Sequence, residues 1–170
     1  DKQAIVEAFQ LVKEKKVLPS MRAMQLAGSA VEQHNARQYN CAALHIYNSR
    51  CIEKAFYLLL CGTGCGFGLQ KVQVEQFPSV VKEKSGIQEV PISDSIEGWA
   101  ESTKILLDSY LEGNAWTGID IRFDYSHIRP AGSPISHGGK APGPNGLKFA
   151  HSKIRDVFER APSKLRTIDV

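Results

Sequence analysis

The chain has 170 residues, of which 42% are hydrophobic and 23% are charged. This composition is typical of a globular domain with its own core and excludes a disordered chain. The net charge of +3 is small, and the basic residues are dispersed apart from a cluster near the end of a predicted helix, so we expect no nucleic-acid binding. The longest apolar run, residues 55–61, is too short for a membrane helix, and we expect no membrane partner.

The cysteines and the first residues bear on the cellular compartment. Cys41, Cys51, Cys61 and Cys65 fit no disulfide framework for a chain of this size. The chain begins at Asp1 without a charged and apolar leader, so no signal peptide is predicted. We therefore expect reduced thiols and a cytoplasmic location.

The first half of the chain is predicted to alternate helices and strands. Apolar residues at helical spacing predict a leading helix within residues 1–17. The short apolar segment 40–47 predicts a buried strand. An apolar face over 52–60 predicts a helix, which ends where glycines follow. Residues 66–74 alternate apolar and polar side chains, which predicts a second strand.

A third helix is predicted after a polar segment. Residues 81–90 are polar and irregular, and we expect a surface excursion there. Asp94 and Glu97 have the spacing of a capping box, with Asp in place of the usual Ser or Thr. An apolar face at helical spacing follows and continues until Gly113, where we expect the helix to have ended.

The last third holds a strand, a long loop and a helix. Residues 119–124 alternate strictly and predict a strand, and 147–160 predict the final helix. Between them, residues 128–146 are dominated by Pro and Gly, which indicates an ordered or ligand-covering loop flanked by His127 and His137. Because helices alternate with strands, we predict an α/β fold with parallel βα units.

A glycine-rich segment, residues 62–68, is the first candidate for a binding site. Alternate glycines allow a ligand to approach the backbone and leave amide groups free to bind oxygens. The segment does not match a phosphate loop, since no Gly-Lys-Ser/Thr follows, and it precedes a strand where the dinucleotide fingerprint follows one. A tight helix-to-strand turn and a ligand cradle both remain open.

Asn40 and Cys41 stand at the head of the first predicted strand and form the second candidate. A free cysteine there is either a buried small hydrophobe or a reactive thiol at a strand end. Cys61 and Cys65 are four residues apart, but they have neither a second cysteine pair nor a nearby His, so we predict no metal site. The residues alone leave both interpretations of Cys41 open.

Taken in order, these segments resemble the adenosylcobalamin-dependent (class II) ribonucleotide reductases. The glycine segment is similar to that family's glycine loop, which more often has Val where Cys65 stands. The segments that carry the resemblance are LPSMRAMQLAG (18–28), YNC (39–41), LCGTGCGF (60–67), EGW (97–99), HIRPAGSPI (127–135), GGKAPGP (138–144) and LRTIDV (165–170). Together they extend over nearly the whole chain.

The resemblance implies a fold and a chemistry. The fold would be the first half of a ten-stranded α/β barrel, so that residues 1–170 form a single partial domain. In this family a cofactor-derived thiyl radical removes the 3′ hydrogen of a ribonucleotide, the 2′ hydroxyl leaves as water, and a cysteine pair supplies the electrons and closes a disulfide. The implied cofactor is adenosylcobalamin, bound mainly by polypeptide outside this chain.

By the same resemblance, Cys41 would be one member of the reducing pair. Ser20, Asn40, Thr63 and Gly64 would line the nucleotide pocket, with backbone amides contacting phosphate or ribose oxygens. The implied partners are a carboxy-terminal reductase segment and an external dithiol such as thioredoxin, and the chain alone would be inactive. Two alternatives are a non-catalytic nucleotide-binding or assembly module and a fragment of a class I reductase.

Overall fold

The computed structural model describes residues 1–135 and 139–166. The helices are α1 (Lys2–Lys13), α2 (Met21–Leu26), α3 (Ser29–Gln33), α4 (Ser49–Leu60), α5 (Lys71–Val74), α6 (Ile96–Tyr110) and α7 (Asn145–Arg160), with a 3-10 turn at Asn35–Gln38. The strands are β1 (Cys41–His45), β2 (Gly64–Gly68), β3 (Gly86–Pro91) and β4 (Ile119–Asp124). His137, Gly138 and residues 167–170, which the sequence interpretation used, lie outside the described residues.

The strands of the described residues form two parallel pairs. β1 pairs with β2, and Cys41 lies opposite Gly64. β3 pairs with β4, and Gly86 lies opposite Ile119. Helix α4 connects the first pair and α6 connects the second, as parallel strands require a crossover. The predicted α/β class with parallel βα units is confirmed, whereas one continuous half-barrel sheet is not formed by these two separate pairs.

The core lies between α4, α6 and α7. Helix α6 is buried over most of its length, and Leu106 at its centre is fully buried. Tyr110 at its end stacks on Phe158 of α7, with ring centroids 4.9 Å apart. Buried Asp108 of α6 accepts a hydrogen bond of 2.5 Å from the Ser49 hydroxyl at the start of α4. The Ser49–Asp108 bond fixes the start of α4 against α6, and α4 connects the two strands of the first pair.

Local side-chain chemistry sets the helix ends near that pair. The Asn48 side chain accepts from the Cys51 amide and starts α4. After Cys61 the chain turns at Gly62, whose φ of +85° favours glycine and ends the helix. Helix α6 begins one residue later than the capping-box spacing predicts, because Ser95 and not Asp94 accepts the hydrogen bond from the Gly98 amide.

Three sequence interpretations are wrong in detail. The strand predicted over 66–74 ends at Gly68, and Lys71–Val74 is a short helix at whose start the Gln73 side chain accepts from the Gln70 amide. The excursion predicted over 81–90 contains most of β3, which lies in register with β4. The strand within 40–47 exists, but it is not buried, because one of its faces is exposed along its length.

Candidate functional site

Cys41, the first residue of β1, has its side chain exposed. Successive side chains of a strand point to opposite faces, so Cys41, Ala43 and His45 share the exposed face. Their partners on β2 along that face are glycines, beginning with Gly64 opposite Cys41. On this face, the exposed Cys41 thiol therefore has glycines of β2, which carry no side chains, as its neighbours. The interpretation of Cys41 as a core residue is wrong for this chain.

Gly64 is joined to the residue before the cysteine. Its amide donates to the Asn40 carbonyl at 2.9 Å, while the Asn40 side chain stays exposed. Most of the glycine segment is thus strand β2, which pairs with β1, and Gly62 forms the turn that precedes it. This pairing fixes Asn40, Cys41 and Gly64 side by side.

Thr63 is 1% exposed and acts inside the protein. Its hydroxyl donates to the Tyr39 carbonyl at 3.0 Å, and its amide donates to the Leu58 carbonyl at 2.9 Å. The two amides expected to contact substrate oxygens, those of Thr63 and Gly64, therefore both have protein acceptors. Thr63 therefore links the glycine segment to the residues that lead into β1.

Ser20 is the N-cap residue of α2. Its Oγ accepts from the Ala23 amide at 3.0 Å, which is the usual bond of an N-cap residue. A hydroxyl that accepts in this way still has its own hydrogen to donate. Ser20 is exposed, so this hydrogen can reach a ligand oxygen.

Arg22, which the sequence interpretation did not single out, links these segments. Its guanidinium donates from Nη2 to the carbonyl of Tyr39 at 3.3 Å and also to the carbonyl of Gly62. The acceptors lie 17 and 40 residues along the chain from Arg22. No local pattern in the sequence signals contacts at such separations.

The other three thiols differ from Cys41. Cys61 is 1% exposed, and burial raises the pKa of its thiol. Burial also raises the pKa of the Cys65 thiol, whose Sγ lies 3.8 Å from the Ala55 carbonyl of α4. Cys65 pairs with Ala42 and so faces the opposite side of the strands from Cys41. Cys51 packs in the core. This arrangement brings none of the three into position as a disulfide partner of Cys41.

A separate open cleft of about 440 Å³ lies between the Pro/Gly loop and the start of α6. Arg129 of the loop forms an ion pair with Asp94 at its rim, and His34 Nδ1 lies 3.1 Å from Glu97 Oε1. The loop is ordered across its base, since the Gly132 amide donates to the Ala141 carbonyl at 2.9 Å. The predicted loop thus forms one wall of a cleft in the part that the structure describes.

Within 1–135 and 139–166, no group of three or more His, Cys, Asp or Glu side chains is arranged to hold a metal ion. No helix in those ranges has the length and apolar character needed to cross a membrane.

The fold matches a known class of enzyme. A crystal structure of a B12-dependent (class II) ribonucleotide reductase superposes with a TM-score of 0.78, over 95% of this chain and 30% of that chain, at 19% sequence identity. No protein-family profile matches the sequence. The chain therefore has the fold of a segment of a class II ribonucleotide reductase.

Sequence comparison gives two named relatives. The adenosylcobalamin-dependent ribonucleoside-triphosphate reductase of Euglena gracilis is 29% identical over 168 residues, which cover 92% of this chain and 22% of that protein. A probable adenosylcobalamin-dependent ribonucleoside-triphosphate reductase of Dictyostelium discoideum is 43% identical over 75 residues, or 43% of this chain and 9% of that protein. The resemblance to adenosylcobalamin-dependent ribonucleotide reductases is confirmed, and this chain spans about a fifth of the Euglena enzyme.

Proposed function

We propose that this chain is the amino-terminal segment of the catalytic barrel of an adenosylcobalamin-dependent ribonucleotide reductase, with Cys41 as one of the two reducing thiols. The observation that carries the proposal is the position of Cys41. It is the exposed member of the four cysteines, and it lies against the backbone of the glycine segment that the resemblance assigns to the substrate. A thiol reduces a substrate only if it is accessible to it.

The net reaction consumes two thiols and one ribonucleotide. The bond from C2′ to its hydroxyl oxygen breaks, a hydrogen takes that position, and the oxygen leaves as water. The two thiols lose two electrons and two protons in total and form one disulfide. Cys41 supplies one of these sulfurs, and we assign the other to polypeptide beyond this chain, because Cys65 faces away from Cys41 while Cys51 and Cys61 are buried.

The substrate residues divide into two groups. The Ser20 hydroxyl at the start of α2 and the Asn40 side chain just before β1 are both exposed, and we propose that they bind the nucleotide directly. Thr63 and Gly64 instead hold the backbone of the site in place, since their amides already donate to protein carbonyls. Without a side chain at Gly64, substrate can approach the Cys41 thiol closely.

We assign the cofactor mainly to polypeptide outside this chain, as the resemblance implies. When bound, adenosylcobalamin would supply the radical that starts the reaction, as the resemblance implies. The cleft of about 440 Å³ between the Pro/Gly loop and the start of α6 is of the size used for small ligands and is too small to enclose a corrinoid. We therefore derive no step from contacts between this chain and the cofactor.

The remaining polypeptide is the principal partner in this proposal. Helix α1 buries none of its residues within the chain and exposes the large apolar side chains Ile5, Val6 and Phe9. Apolar surface of this kind marks an interaction site. We propose a carboxy-terminal reductase segment that completes the barrel and an external dithiol such as thioredoxin that reopens the disulfide. The chain alone is then inactive.

The experiment is reconstitution. Ribonucleotide reduction is measured with adenosylcobalamin and a dithiol for the chain alone, for the chain with the carboxy-terminal reductase segment of its source, and for that mixture with Cys41→Ser. Cys51→Ala, which removes a buried core thiol, is the matched control. We expect activity only in the mixture, lost with Cys41→Ser and retained with Cys51→Ala. A properly folded mixture that stays silent, while still binding nucleotide, would support a binding or assembly module.

The class of enzyme is tested by the same mixture. Activity that does not depend on adenosylcobalamin would indicate a class I fragment. Activity that depends on it supports the proposed class II function.

A further inference from the structure

We infer that Arg22 is a positioning residue that holds the Cys41 segment and the glycine segment in register. Its guanidinium binds the Tyr39 carbonyl, two residues before Cys41, and the Gly62 carbonyl, two residues before Gly64. For catalysis the inference rests on the proposed function, while the positioning itself is a property of this chain.

Arg22 acts on both segments at their entry points. Tyr39 leads directly into Asn40 and Cys41, and its carbonyl accepts from Thr63 as well as from Arg22. Gly62 leads directly into Thr63. One side chain therefore fixes the last carbonyl before each group of site residues. Arg22 itself belongs to α2, two residues after the N-cap Ser20.

The chemistry of the side chain explains why an arginine is needed. A guanidinium is a rigid fork with several N–H donors that stays charged, and its hydrogen bonds to carbonyls are charge-assisted. Both bonds come from Nη2, whose two N–H groups point in fixed directions within the guanidinium plane, whereas a lysine ammonium at position 22 is a point charge on a flexible stem. Arg22 is half-buried, and within the described residues its buried Nε has no acceptor, while its Nη2 makes the two hydrogen bonds to carbonyls described above.

Gly62 offers a second position at which the Arg22 contact can be disturbed. A Cβ built on Gly62 would lie 3.2 Å from Arg22 Nη1, and its φ of +85° is one that side chains rarely adopt. Gly62→Ala should therefore shift the guanidinium without changing residue 22. Gly62→Ala and a substitution of Arg22 should both loosen the amides of the glycine segment.

The first test is amide hydrogen exchange on the chain, with the Gly64 amide as the probe, because it donates to the Asn40 carbonyl and reports the register. Arg22→Gln should speed exchange at Gly64 at least about tenfold, with amides of α6 unchanged, since a charge-assisted bond is lost locally. The exchange rate at Gly64 in Arg22→Lys should fall between those of the wild type and Arg22→Gln. Arg160→Gln, which removes an exposed arginine bonded to the Asp156 carbonyl on its own helix, is the control and should leave Gly64 unchanged.

The same variants separate positioning from general stability. Where Arg22→Gln lowers the melting temperature of the whole chain, the comparison moves to Arg22→Lys and Gly62→Ala at a temperature where both are folded. Unchanged exchange at Gly64 in folded Arg22 variants would overturn the inference. Faster exchange at every amide, in proportion to lost global stability, would overturn it as well.

A second readout connects the inference to the reaction. In the reconstituted mixture, Arg22→Gln should lower kcat at least about tenfold at unchanged melting temperature, and Arg22→Lys should recover part of it. Normal kcat in Arg22→Gln would overturn the role in the reaction. If no mixture reduces ribonucleotides but Gly64 exchange still responds to Arg22, the proposed function fails and the positioning of the two segments stands.

Discussion

Acidification should destabilise the chain through His151, a residue of α7 that is 2% exposed and faces Ser102 of α6. The Ser102 hydroxyl donates to the Trp99 carbonyl at 2.8 Å, so it accepts from His151 Nε2 at 3.2 Å, and Nδ1 accepts from the Tyr125 hydroxyl at 2.8 Å. These bonds fit a neutral imidazole protonated on Nε2. Burial first, and the charge of Arg155 second, lower the pKa of His151 from 6.5 to about 4.

Below pH 6.5 the unfolded chain binds a proton at His151 that the folded chain refuses, so stability falls as the pH drops from 6.5 toward about 4. A shift of this size corresponds to at most about 3 kcal/mol. Urea unfolding of the wild type and of His151→Gln at several pH values isolates the contribution, because every other titrating group is shared. Parallel pH profiles for the two proteins, or an imidazole that titrates near 6.5 by NMR, would refute the reasoning.

Three further outcomes follow from the packing. Gly98→Ala should destabilise by about 2 kcal/mol, since its Cβ would lie 2.8 Å from a backbone carbonyl, whereas Gly146→Ala meets open space and should be neutral or stabilising in urea unfolding. Asp108→Ala should cost about 2 kcal/mol by the same assay, because it strands a buried hydroxyl and an ammonium. In timed alkylation with peptide mapping, Cys41 should react well before buried Cys61, and equal rates would contradict the assigned exposures.

The parallel α/β class could be predicted because periodicity is a local signal. Residues 119–124 alternate strictly, and they form β4 with the predicted bounds. The helical apolar face over 52–60 lies within α4 in the same way. These elements bury one side against α6, so the pattern of side chains records their environment.

The missed elements have no such pattern of their own. Strand β3 buries little, because Gly86 to Glu89 are exposed, so its polar residues carry no alternation, and its pairing with β4 decides the structure. Burial of Cys41 could not be judged from its apolar neighbours, since the glycines of β2 leave the strand face uncovered. Tertiary pairing overrode local preference at both places.

The site was predicted in part. The resemblance singled out Cys41 and the glycine segment, which the structure places side by side in register. Arg22 escaped because its carbonyl partners lie far away along the chain, and carbonyls carry no residue-specific signal. The paired amides of Thr63 and Gly64 were equally invisible, because hydrogen-bond accounting requires coordinates.

The central claim is that Cys41 gives up electrons to a ribonucleotide. The most direct test is a single turnover: the reconstituted mixture is fully reduced, freed of external dithiol, given adenosylcobalamin and substrate, and then alkylated and mapped. We expect deoxyribonucleotide formation to stop after one turnover, with Cys41 lost from the alkylated pool in proportion to product and recovered in a disulfide. Product formation that leaves Cys41 fully alkylated, or that continues undiminished in Cys41→Ser, would contradict the claim.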